Sequence, residues 1–449
     1  MKQHCAFSKQ RGQAFLIMVA LLAMLGTSIF ITFASRPSSQ LRDAERTQRV
    51  LTTARDALIG YAASSPMRPG QLPCPDLATN VPGVNIPNDG IADDRDTTTG
   101  LCPSDIGRLP WKTLGIEDLR DSAGERLWYT ASPAFTRDEA LCPNNPNNPL
   151  APCPLNSDTR GTLKVYLETK ATEKYPEAVA IVFAPGPSIG TQVRSGANQN
   201  NPANYLDTTA TVSNATLPEF IIAQNSDRLP QSPPPAPFND QLLVIDTTHL
   251  IPIMETRVAR TMLKMLTDYK AAFPGKYTGA DRHMDNEEDD DVFRGWLPIC
   301  QAEPKDWEDP DINVPVPAWL ARNDWWKIVY FAVAPDLTVH CPGSSAGCGM
   351  LTLDSPTNFK EVILITPGAA PVGVTRPSLT IVTNSFASPP PANNACIVLT
   401  TLSSSQALAY WQAYLNHSEN RDHNDNDYVT PVSPDRNRVF ACPGTPGIC

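Results

Sequence analysis

Residues 179–186 read VAIVFAPG and residues 362–368 read VILITPG. Each is a short aliphatic, β-branched run closed by Pro-Gly, the pattern of a strand buried on both faces and ended by a turn. Each is followed by an arginine, Arg194 and Arg376. Further pieces recur in the same order on either side. Gly107-Arg-Leu-Pro-Trp111 is paralleled by Gly295-Trp-Leu-Pro298, and Leu127–Pro133 (LWYTASP) by Ile328–Pro335 (IVYFAVAP). Cys142 and Cys153 are paralleled by Cys341 and Cys348, and Thr162–Val165 by Met350–Leu353. The spacing is too long for a solenoid period. The expectation is two related β-modules, with Trp128, Tyr129, Trp325, Trp326 and Tyr330 filling the core beside the strands. The alternative is chance recurrence of apolar strands that end in Pro-Gly.

Between these halves, Thr247 to Phe273 places Ile253, Val258, Met262, Met265, Leu266 and Tyr269 at helical spacing. A methionine-rich stripe of this kind is a core face or a partner groove. Residues 274–294 read as a linker containing the solvated acidic run Glu287–Asp291. Residues 196–240, rich in Asn and Pro, read as a long surface loop. The first module therefore covers 64–273, with the helix at its end, and the second covers 295–449.

Forty-five of the 449 residues are proline, a load that excludes a mostly helical protein. The chain is 18% charged with a formal net charge of −11 and has no basic block, which argues against nucleic acid as a partner. Eleven cysteines without a close C-x-x-C pair indicate an oxidising compartment. Cys5 stands apart near the N-terminus. The expected pairs among the other ten are Cys74–Cys102, Cys142–Cys153, Cys300–Cys396, Cys341–Cys348 and Cys442–Cys449, although sequence alone does not fix connectivity.

The N-terminus carries Lys2, Lys9 and Arg11 and no acid, and then runs FLIMVALLAMLGTSIFITFA from Phe15 to Ala34. A helix of that length reaches roughly 30 Å, the thickness of bilayer hydrocarbon. Removal as a signal peptide before Ser35 is the competing reading. Arg36, Arg42, Arg46, Arg49 and Arg55 follow the span, so flanking charge does not settle its topology. Residues 41–63 continue as an amphipathic pattern through Leu41, Ala44, Leu51, Leu58 and Tyr61.

Lys9-Gln10-Arg11-Gly12 followed by Gln13-Ala14-Phe15-Leu16-Ile17 resembles a type IV prepilin leader. The resemblance implies cleavage between Gly12 and Gln13 by a prepilin peptidase. It also implies an apolar helix that stays on the mature protein, with Phe15, Leu16, Ile17, Leu21, Leu22, Leu25, Ile29, Phe30 and Phe33 facing lipid or neighbouring helices. The family's usual glutamate five residues after the cut is absent, and Ile17 stands in its place. Some minor pilins and pseudopilins share that departure. The order Leu72-Pro-Cys74-Pro-Asp76, Asn88-Asp-Gly90, Cys102, Gly107–Trp111 and Asp121–Tyr129 further resembles secreted pilin-like proteins of Gram-negative bacteria.

Three chemistries have candidate residues. Gly343-Ser-Ser-Ala-Gly347 matches the nucleophile-elbow pattern, yet it lies between Cys341 and Cys348 and before a strand-like run, which suits a disulfide-closed hairpin tip better than catalysis. Zinc lacks paired ligands, and His340 beside Cys341 is a lone neighbour. Asn85, Asp89, Gly90, Asp93 and Asp96 fall at positions 1, 5, 6, 9 and 12 of an EF-hand-like loop, with Pro87 at position 3. Asp422, Asn424 and Asn426 make a second partial loop. Calcium and plain Asx-stabilised turns are the two readings of both.

The expected molecule is α+β: a long N-terminal membrane helix followed by a β-rich, disulfide-stapled head of antiparallel sheets in two related modules. The expected function is a non-enzymatic pilin-like subunit, minor or at the tip, of a type IV pilus or secretion pseudopilus. It would sit in the inner membrane with its head in the periplasm or outside the cell and meet other subunits through the N-terminal helix. A surface adhesion module and a tethered extracytoplasmic enzyme are the alternatives.

Overall fold

The fold is given by a computed structural model. It describes residues 41–66, 68–77, 86–138, 154–167, 169–222 and 238–272, with Met18 and Tyr277 isolated. Beyond these it describes the strands lying between 294 and 443 and a few flanking residues.

Helix α1 spans residues 41–64. Thr47, Leu51, Ala54, Leu58 and Ala62 are buried at intervals of three or four, which puts them on one face. Residues 41–46 are exposed all round and Leu41 is 65% exposed. The buried stripe thus starts later than Leu41 and Ala44 suggested.

Among the described residues no helix is long and apolar enough to cross a membrane. This corrects the expected fold, in which a long membrane helix leads into the head. The helix that enters the head starts at residue 41 and carries Arg42, Asp43, Glu45, Arg46, Arg49, Arg55 and Asp56, and such a charge load is costly in hydrocarbon. Gly12, Gln13 and the apolar positions Phe15, Leu16, Ile17, Leu21, Leu22, Leu25, Ile29, Phe30 and Phe33 lie outside the described residues. Met18 is helical and 61% exposed.

The first sheet has the order β1-β2-β5-β7, all antiparallel: β1 (Ile106–Arg108), β2 (Trp128–Ala131), β5 (Ala180–Ala184) and β7 (Gln241–Ile245). The second runs β8 (Arg294–Trp296), β9 (Tyr330–Val333), β11 (Phe359–Thr366) and β12 (Arg438–Pro443), with the short β10 (Leu351–Thr352) also on β11. Their registers coincide. Gly107 faces Tyr129 as Gly295 faces Phe331. Val182 faces Tyr129 and Leu243, as Leu364 faces Phe331 and Phe440. The Ser132 N–H donates to the Val179 carbonyl and the Ala334 N–H to the Glu361 carbonyl, both at 2.8 Å. Gly186 and Gly368, closing the two central strands, have φ of 63° and 73°, a conformation that favours glycine.

The helices follow the same correspondence. Helix α3 (Thr247–Ala272) packs on β11 and β12, as α1 shares a core with the first sheet. At one constant offset from α1, the sequence of α3 repeats Arg49 as Arg257, Val50 as Val258, Thr53 as Thr261, Leu58 as Leu266, Tyr61 as Tyr269 and Ala63 as Ala271. The same offset carries the last residue of α1, Ser64, onto the last of α3, Ala272. Leu51, Ala54 and Leu58 are buried, and so are their counterparts Ala259, Met262 and Leu266. Ile253, expected on the buried stripe, is 36% exposed.

One apolar cluster joins both helices to both sheets. It includes Leu51, Leu58, Tyr129, Val182, Met262, Leu266, Trp325, Val333 and Leu364. The other face of the first sheet, with Ile106, Trp128, Ile181, Phe183 and Val244, packs on a small sheet of order β4-β3-β6. That sheet comprises β3 (Leu163–Leu167), β4 (Thr169–Ala178), antiparallel to it, and β6 (Glu219–Ile222), parallel to it. It is therefore mixed rather than antiparallel. Short helix α2 (Pro133–Thr136) follows β2.

Three expectations change here. Thr162–Val165 feeds β3 of the small sheet, whereas Leu351–Thr352 pairs β11 in a principal sheet, so those two stretches are not counterparts. Residues 196–240 are not simply surface loop, since Tyr205, Leu206, Phe220 and Ile221 are buried. Tyr277, in the stretch read as a linker, is 1% exposed and donates to Glu361 Oε2 at 2.6 Å.

Candidate functional site

A cleft of about 330 Å³ lies at the Pro-Gly end of the first sheet. Its lining includes Thr47 of α1, Asp121, Ser122, Gly186 and Asp240. Asp121 folds its own loop: Oδ1 accepts the N–H groups of Ala123 and Glu125 at 2.9 Å, and Oδ2 accepts that of Gly186 at 2.8 Å. Thr47 Oγ1 lies 3.1 Å from Ser122 Oγ, tying the helix to this loop. In the second repeat the equivalent glycine N–H, of Gly368, is taken by Glu255 Oε1 at 2.8 Å, and Ser157 also donates to that oxygen. Glu255 occupies the helix position that corresponds to Thr47. One repeat draws the carboxylate from a loop, the other from the helix.

Behind the cleft, Asp207 Oδ2 accepts the N–H groups of Asn239 and Asp240, at 2.6 and 3.1 Å. Asp240 Oδ2 accepts from Asp207 N at 2.7 Å and Asn214 Nδ2 at 3.1 Å. Burial, with Asp207 alongside, holds the Asp240 carboxyl well above the usual carboxylate range. The group chemistry is that of turn anchoring: carboxyls gather backbone N–H donors where strands begin and end.

A further carboxyl, Asp76, organises the loop expected to hold calcium. Its Oδ1 accepts Asn88 N and its Oδ2 Gly90 N, both at 2.7 Å. Asn88 at φ 63° and Gly90 at φ 87° present those N–H groups inward. Burial pushes the Asp76 carboxyl up to about 6. Of the candidate ligands, Asp89 Oδ1 accepts the N–H of Ile91, Asp93 Oδ2 that of Leu77, and Asp96 Oδ1 those of Thr98 and Thr99. Asn85 lies outside the described residues. Among the described residues no group of three His, Cys, Asp or Glu side chains is placed to hold a metal ion.

Cys74 and Cys102 form a disulfide with Cα atoms 5.5 Å apart, closing this loop onto the sheet. Cys442 lies on β12 opposite Val362. Cys142, Cys153, Cys300, Cys341, Cys348, Cys396 and Cys449 lie outside the described residues, as do Gly343–Gly347 and the partial loop from Asp422.

Sequence reasoning missed Asp76, Asp121, Asp207, Glu255 and Asn323. Asn323, wholly buried, accepts Leu155 N at 2.9 Å and Arg68 Nε at 3.2 Å on Oδ1, linking the two halves. Only Asp121 carried a local signal, the Asp-x-x-Gly turn ending at Gly124. The other partners are remote in sequence.

The chain matches no family model, no curated protein and no solved structure.

Proposed function

We propose that the protein is a non-enzymatic structural subunit of a pilin-like extracytoplasmic assembly. The observation that carries this reading is the behaviour of α1. Residues 41–46 are solvent-exposed on every side, and from Thr47 onward a single stripe is buried in the head. A helix that projects from its own domain before docking along it leaves a rod for packing against neighbouring helices. The Cys74–Cys102 disulfide supports folding in an oxidising compartment. The cleft's carboxyls, engaged with backbone N–H groups, favour a scaffold over a catalytic centre.

Mass spectrometry of the mature N-terminus tests the proposal. A chain that begins at Gln13 supports it. One that begins at Ser35 means ordinary secretion, and an intact Met1 means no prepilin processing; either result removes the pilin-like reading.

A further inference from the structure

We infer that the protein pairs head-to-tail with a second copy of itself, the C-terminal end of α3 in one copy seating against the N-terminal half of α1 in the next. The observation behind this is a contact that the internal repeat makes once and leaves open at both ends. Within one chain, Arg257 of α3 donates from Nη1 to the Ala63 carbonyl at 2.7 Å, one residue before α1 ends. An arginine meeting the last carbonyls of a helix satisfies acceptors that lack an intrahelical donor and sits at the negative end of the helix dipole. Nearby, Met254 packs so closely on Gly70 that its sulfur takes the space a Cβ would need. The C-terminal end of the first repeat's helix is therefore seated on the middle of the second repeat's helix.

The repeat maps Arg257 onto Arg49 and Ala63 onto Ala271. Were the two repeats related by a twofold axis, Ala271 would receive Arg49 inside the same chain. Instead Arg49 is exposed and its Nε reaches back to the Glu45 carbonyl at 3.4 Å, and Ala271 is exposed as well. The relation is heterologous, and a heterologous contact applied again carries the next copy forward rather than closing on itself. Both halves of the repeated contact are on the surface. Arg49 has the same side chain as Arg257, and Ala271 holds the same penultimate place in its helix as Ala63. Arg42 and Arg46 occupy the places of Leu250 and Met254, so the contact between copies is more polar and more salt-sensitive than the internal one.

The inference gives the proposed subunit a partner surface but stands on the repeat alone. A mature chain that begins at Gln13 yet fails the following test would leave the functional reading standing and remove only this one. Full-length Arg49→Cys and Ala271→Cys chains are mixed and treated with a short bis-maleimide, and the linked peptides are mapped. The expected product is a 49–271 link between copies, in clear excess over the link from Arg49→Cys mixed with the exposed control Thr211→Cys. Sedimentation of Arg49→Glu then shows self-association weakened at least tenfold with the melting temperature unchanged. Absence of the 49–271 link, equal yield from the control, or association indifferent to Arg49→Glu overturns the inference.

Discussion

The guanidinium of Arg108 lies 4.1 Å from the ring centre of Trp128, and Tyr205 sits at the same distance on it. Arg194 continues the stack 4.9 Å from the Tyr205 ring and pairs with Glu125 at 3.2 Å. Arg108 also donates to the Arg126 carbonyl at 3.0 Å. The stack clamps the 194–205 segment onto the edge of the first sheet. The two rings meet with centres 5.2 Å apart and planes tilted by 50°, and a planar guanidinium can lie across both where an ammonium cannot. Arg108→Lys is expected to cost about 1–3 kcal/mol in urea unfolding, because a desolvated cation–π contact contributes about 2 kcal/mol. A Lys variant as stable as the parent would show the stacking to be incidental.

Asp76 makes the stability of the head depend on acid in a particular sense. Its carboxyl titrates near 6 in the folded protein, above its usual 3.8. Between those values the folded state binds the extra proton, so stability falls as pH rises from about 4 to about 6 and levels off above. The slope contributed by one group is at most about 1.4 kcal/mol per pH unit. Asp76→Asn should flatten that part of the profile, measured by denaturant unfolding across pH 4–8.

Opening the Cys74–Cys102 bridge frees a closed loop of 28 residues' separation. The chain-entropy estimate for such a loop is about 3–4 kcal/mol. A Cys74→Ala, Cys102→Ala double variant should lose stability on that order, with the loss appearing in calorimetry under non-reducing conditions.

Because one core serves both helices, the two repeats should melt together. Leu58 and Leu266 are corresponding, fully buried residues in the same cluster. Leu58→Ala and Leu266→Ala should each cost about 2–5 kcal/mol, and each should shift a single thermal transition. Two separated transitions in either variant would mean that the halves fold independently.

Part of this fold was legible in the sequence. Val179–Gly186 and Val362–Gly368 announced themselves through β-branched residues and a Pro-Gly stop, and the stripe through Val258, Met262 and Tyr269 marked α3. The stripe of α1 was legible too, through Leu51 and Leu58, but its correspondence with α3 was not, because the shared residues, such as Arg49, Thr53 and Tyr61, are partly polar. The strand β6 was hidden by the Asn- and Pro-rich composition around it, where burial of Phe220 and Ile221 depends on partners in β3. The membrane-helix expectation judged the segment up to residue 34 on hydropathy, whereas the helix that organises the head is set by packing from Thr47 onward. Beyond the local turn at Asp121, the carboxyl anchors had no sequence signal: Asp121 meets Gly186, and Glu255 meets Gly368, only after distant chain segments converge.

That last pair also limits what can be exchanged. Gly186 and Gly368 sit at matching corners but borrow their acceptors from unrelated places, one from a loop and one from a helix. Exchanging single elements therefore fails: the α1 sequence set in the place of α3 would put Thr47 where Glu255 stands and leave the Gly368 N–H without its carboxylate.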